Sequence, residues 1–221
     1  MNDSDYFGEN LLIKIQEGFD SAVNWAKSAN ADNQLKNQLK SAMFVSKIGD
    51  VLYRLHGDET LWLNTIKVPE NINEKGKGKK ESGEWLLDIT ITKNENDLKN
   101  GFKKEIVWAV ESESDCSKEA FNDDFAKLFH INSINYLYLN GLNHKTKDGK
   151  DKYIENRLKE VEAIIQSCNK PFKPFWFAFW ASPCKYEIFP SIWEELDGEF
   201  KHLRDVRLFK FEHGTYKEIR Q

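Results

Sequence analysis

Residues 174–181, Pro174-Phe175-Trp176-Phe177-Ala178-Phe179-Trp180-Ala181, are apolar at every position. Successive side chains of an extended chain point to opposite sides. A strand that is apolar on both sides is predicted inside a sheet with a further layer on either face. The run stops at Ala181, far short of the roughly 20 apolar residues that cross a bilayer, so no membrane span is expected.

Such a sheet needs helices to cover it, and the sequence offers them. Leu11, Leu12, Ile15, Phe19, Ala22, Val23 and Ala26 recur at three- and four-residue spacing and line one helical face. Leu35, Leu39, Ala42, Met43, Ile48, Leu52 and Leu55 do the same over 34–55, and Gly57 supplies the stop. A third helix is predicted over 118–130 around Phe121, Phe125, Leu128 and Phe129. A fourth follows a charged loop at 144–152 and carries Ile154, Leu158, Val161, Ile164 and Ile165. Strands are predicted at 61–66, 84–92, 105–111, 134–139, 174–181 and 206–211, the last of these being the final strand expected. The polar linker between the second and third suits an antiparallel hairpin. The order of elements predicts an α/β fold, a three-layer α/β/α arrangement with a central mixed sheet. One domain is expected over 1–221, with N-terminal helices at 7–56 and a helix and strands at 151–221 extending the same sheet.

Several function classes fall away on chemistry. Cys116, Cys168 and Cys184 make an odd set with no CxxC pair, so a disulfide framework is not expected and a reducing cytoplasm is. The acidic, polar start of the chain lacks the pattern of a secretory leader. His56, His130, His144, His202 and His213 are scattered without HxH or HExxH spacing, which removes a zinc site. There is no GxSxG, and the glycines and lysines of 74–81 do not fit a phosphate-binding GxxxxGK[ST] loop. Thirty-two basic against 36 acidic residues give a net charge of −4, unlike a generic DNA coat.

What remains is a set of acids. Asp88 interrupts an otherwise apolar strand, Glu111 ends the next one, and Glu113 lies two residues on, hence on the same face. If the two strands pair, the three carboxylates converge at one strand end. Their repulsion is offset when a cation lies between them or a proton is shared, and hard oxygen ligands of this kind suit Mg²⁺ or Mn²⁺. The plainer reading is a set of solvated strand-end acids. Basic residues cluster at 75–80, 99–104 and 145–152. Solvated loops are the default reading of such lysines. The functional one makes Lys77, Lys79, Lys80, Lys103 and Lys104 the rim of a nucleic-acid-binding cleft.

The segments Gly83-Glu84-Trp85-Leu86-Leu87-Asp88 and Ala109-Val110-Glu111-Ser112-Glu113, followed by Asp123-Asp124-Phe125-Ala126-Lys127-Leu128, resemble the PD-(D/E)xK nuclease superfamily over about 34–140. The resemblance implies a restriction-endonuclease-like core and Mg²⁺- or Mn²⁺-dependent hydrolysis of phosphodiester bonds in DNA. It implies that Asp88 and Glu111 hold the metal and that Glu113 takes the slot usually filled by lysine, as a metal or water ligand or as base. Leu87 stands where the motif has proline. Lys127, on the following helix, offers a replacement lysine, against the plainer reading of a surface residue beside Asp124. Asp50 on the second helix is a further acid of the same kind, with a capping or surface role as its plainer reading. DNA is the expected partner, with a homodimer open to it. The alternative function is a catalytically inactive nuclease-like protein acting as an interaction, accessory or immunity component.

Overall fold

The computed structural model describes residues 3–29, 37–56, 61–66, 68, 87–94, 104–167, 173–183, 191–212 and 214–220. Two helices come first, α1 (Asp3–Ala29) and α2 (Asn37–His56), then strand β1 (Leu61–Thr65) and the pair β2 (Ile89–Asn94) and β3 (Lys104–Glu113). Helix α3 (Lys118–Phe129) leads to β4 (Ser133–Leu142), and α4 (Lys147–Ser167) to β5 (Phe175–Ala181). Two short 3₁₀ turns, Ile192–Glu195 and Lys201–Leu203, precede β6 (Arg207–Glu212) and β7 (Thr215–Ile219).

The strands form one seven-stranded mixed sheet in the order β1-β2-β3-β4-β5-β6-β7. The three central strands are parallel, β3 to β4 to β5, and α3 and α4 are the connections that parallel pairing requires. The flanking pairs are antiparallel on both sides. The β2–β3 register slips between Ile91 and Thr92, whose partners are Trp108 and Ile106, so Val107 is an extra residue on β3.

All seven residues of β5 are buried, and alternate ones meet different helices. Trp176 meets Phe7 of α1, with ring centroids 5.8 Å apart, and Trp180 stacks on Phe44 of α2 at 4.0 Å. Phe175 and Phe177 meet Phe125 and Phe121 of α3, and Phe179 meets Tyr153 of α4. Among the described residues, no helix is long and apolar enough to cross a membrane.

Three elements differ from expectation. Helix α4 starts at Lys147, inside the segment expected to be a charged loop, because Thr146 caps it: its Oγ1 accepts the Gly149 amide hydrogen at 3.1 Å. A seventh strand, β7, follows β6 across a turn in which Gly214 has φ 82°, a left-handed conformation suited to glycine. Strand β2 begins at Ile89, so Asp88 lies in a bend just ahead of it, and residues 84–86 lie outside the described residues. The Ser112 amide donates to Asp88 Oδ2 at 2.8 Å, a side-chain acceptor where a strand carbonyl would otherwise sit.

Candidate functional site

Strand β3 carries the acids, and its pleat decides which of them share a face. Glu111 and Glu113 lie two apart, on the side opposite Trp108, whose indole meets Phe7 of α1. Glu111 is therefore on the side of α3, and it is buried. Asp88 reaches the same strand end through Ser112.

Helix α3 is set by two local features. The Ser117 hydroxyl caps its first turn by accepting from the Ala120 amide at 3.3 Å. Phe121, Phe125 and Leu128 then form its buried stripe against the sheet. Asp124 and Lys127 flank that stripe one turn apart, which brings them over β3. Lys127 Nζ stands 2.5 Å from Asp124 Oδ1 and 3.6 Å from Glu111 Oε2. Asp124 also shares a hydrogen bond with the Glu113 carboxyl, and Glu113 Oε1 accepts from the Asp115 amide at 2.6 Å.

Electrostatics follow from this crowding. Burial first, then the neighbouring Asp88 and Asp124 charges, push the Glu111 carboxyl up to about 9, with Lys127 opposing them. Burial and the contact with Asp124 push Glu113 up to about 7 against the pull of the Asp115 amide. Burial works against the Lys127 charge, but Asp124, Glu111 and Asp88 outweigh it and raise its pKa. Glu111 Oε1 is buried with no hydrogen-bond partner, and so is the hydroxyl of Tyr138, the β4 residue paired in register with Glu111.

The structure thus gathers Asp88, Glu111 and Lys127 at one strand end and turns the Glu113 carboxylate toward Asp115 and Asp124. Asp50 is half-buried on α2, next to Gly49, whose α-carbon abuts Thr65 of β1. The charges acting most strongly on Glu111 and Glu113 do not include it. Lys77, Lys79, Lys80 and Lys103 lie outside the described residues. Lys104 opens β3 opposite Asn94, seven residues from Glu111, and that distance is about 23 Å along a strand. The basic start of the strand and its acidic end are therefore separate places.

Among the described residues, no three His, Cys, Asp or Glu side chains form a group able to hold a metal ion. Two carboxylates with open coordination positions are nonetheless what Mg²⁺ needs when it keeps waters and takes phosphate oxygens. Glu111 offers such a position at its unpartnered Oε1, and Asp88 is the second carboxylate beside it. Asp124 had no functional role in the sequence reading. Its signal was available: three residues from both Phe121 and Lys127, it sits beside the buried stripe rather than opposite it. Comparison with family models, curated proteins and solved structures gave no match.

Proposed function

We propose that this chain is a PD-(D/E)xK-type nuclease that hydrolyses phosphodiester bonds in DNA with Mg²⁺ or Mn²⁺. In this reading the helices and sheet form a three-layer α/β/α, restriction-endonuclease-like core, and the protein works in the cytoplasm. The observation that carries it is Lys127, which approaches Glu111 from α3 and supplies the ammonium that the motif lacks at Glu113. A lysine on a neighbouring element performs the same chemistry as one on the strand, because only the position of its ammonium matters.

Asp88 and Glu111 would hold the metal. Bound there, the ion supplies Lewis-acid polarisation of the phosphate and a lowered pKa for a coordinated water. To hold the ion Glu111 would give its proton to solvent, and the adjacent Lys127 ammonium would stabilise the resulting carboxylate. Lys127 also offers N–H donors to a phosphate oxygen where charge develops. Glu113 keeps Asp124 in place and takes no part in the chemistry.

The second reading, an inactive nuclease-like fold acting as an interaction or accessory component, is favoured by the engagement of Glu113 with Asp115 and Asp124. Thermal melting with added Mn²⁺, run beside plasmid cleavage, separates the two. A nuclease is stabilised by several degrees at millimolar Mn²⁺, since an ion that binds only the folded state raises its melting point. It loses about 100-fold or more of its cleavage in Asp88→Ala and in Glu111→Ala. Absence of both the shift and the cleavage in the wild type assigns the inactive fold, and full cleavage by either variant removes that residue from the mechanism.

A further inference from the structure

A lysine side chain is long and rotamer-rich, so an ammonium stays aimed at one point only if something fixes it. Around Lys127 that role falls to Asp124. The Asp124–Lys127 contact of 2.5 Å is an i,i+3 pair, a spacing that contributes little on an open helix surface. Here the surroundings differ. The Asp124 side chain is 19% exposed, it also shares a hydrogen bond with Glu113, and its partner lies 3.6 Å from the buried Glu111.

Resting on the nuclease reading above, we infer that Asp124 is a positioning residue that aims the Lys127 ammonium at Glu111, with Glu113 bracing Asp124 through their shared hydrogen bond. Asp124 touches no reacting atom: it acts through Lys127.

Two measurements on the full chain test this. In Mg²⁺-dependent plasmid cleavage, Asp124→Asn should lower kcat about 100-fold with KM within about twofold, the penalty of a misplaced group. Its Mn²⁺-induced melting shift should be no smaller than that of the wild type, since the lost charge opposes ionisation of Glu111. Lys127→Ala should show the same loss, the double variant should fall no further, and Asp124→Glu should recover much of the activity. Wild-type kcat in Asp124→Asn, or losses that multiply in the double variant, would overturn the inference, and loss of the Mn²⁺ shift would make Asp124 a ligand instead.

The second measurement needs no activity. In protein carrying isotope-labelled lysine, the Lys127 ammonium resonance is assigned by its disappearance in Lys127→Ala. It should be present in the wild type, lost in Asp124→Asn and restored in Asp124→Glu. A resonance absent from the wild type, or unmoved in Asp124→Asn, overturns the positioning role. A wild type that cleaves nothing overturns the nuclease reading, and the resonance then decides the positioning role by itself.

Discussion

Two buried ionisable groups lie beside the helices that connect the parallel strands, and they are treated in opposite ways. Arg157 of α4 is held from many sides. Its guanidinium donates to the Cys116 and Ser117 carbonyls at 3.2 and 3.3 Å, to the Tyr153 hydroxyl at 3.0 Å and to Glu160 at 2.9 Å, and it lies 4.0 Å over the Phe121 ring. Only its Nε lacks a partner. Glu111 of β3 has one ion pair, two like charges among its neighbours, and a buried Oε1 with no partner. A charge surrounded by carbonyls and an aromatic face ties the β3–α3 turn to α4 and has a structural account. A carboxyl surrounded by other acids has no such account in its protein neighbours.

The contrast can be broken first at Arg157. Arg157→Ala removes the charged donor from the Cys116 and Ser117 carbonyls, which keep only the Tyr153 hydroxyl and the Phe121 amide, and it uncovers Phe121; it should cost about 3 kcal/mol, or roughly 6–12 °C of melting temperature. A loss below 1 °C on thermal melting would mean that the network holds nothing together.

Glu111→Gln should act in the other direction in metal-free protein. The folded carboxyl keeps its proton up to about 9, whereas the unfolded one releases it near 4.5. Between those values the folded state binds the extra proton, so this group's contribution is fully present below 4.5 and is lost as pH rises toward 9. Glutamine removes that dependence, so the melting temperature of Glu111→Gln minus that of wild type should grow steadily across the window. Parallel curves for the two proteins would show that Glu111 ionises normally.

The smallest effect is expected at Glu160→Gln. Its carboxylate is one-third exposed, and replacing it should cost under about 1 kcal/mol because the carbonyls carry most of the Arg157 charge. A loss as large as that of Arg157→Ala would transfer the credit from the carbonyls to the ion pair.

Much of this contrast could be read from the residues, and some could not. The β2–β3 pairing followed from two apolar runs around a polar linker, and the place of α3 from Phe121, Phe125 and Leu128. Both signals arise from burial, which periodicity reports directly. Strand β7 was missed because Thr215, Tyr216 and Lys217 at an edge are exposed, leaving little apolar pattern to read. The first turn of α4 was missed because its stability there comes from the Thr146 cap rather than from an apolar face. At the site, Asp88 and Glu111 stood out as acids breaking apolar strands. The meeting of Lys127 with Glu111 depends on how α3 lies over β3, which is long-range packing that spacing along the chain does not encode.

The order of strands across the sheet equals their order along the chain. No strand has to insert between two that are already paired, so the sheet can grow at one margin as the polypeptide lengthens. Each addition closes only the loop or helix just before it, which keeps the entropy of assembly local. The exception is α1, whose Gly8 lies against Ile219 of β7. The first helix completes its packing only after the last strand has docked, which makes that contact a late checkpoint on a sequentially built fold.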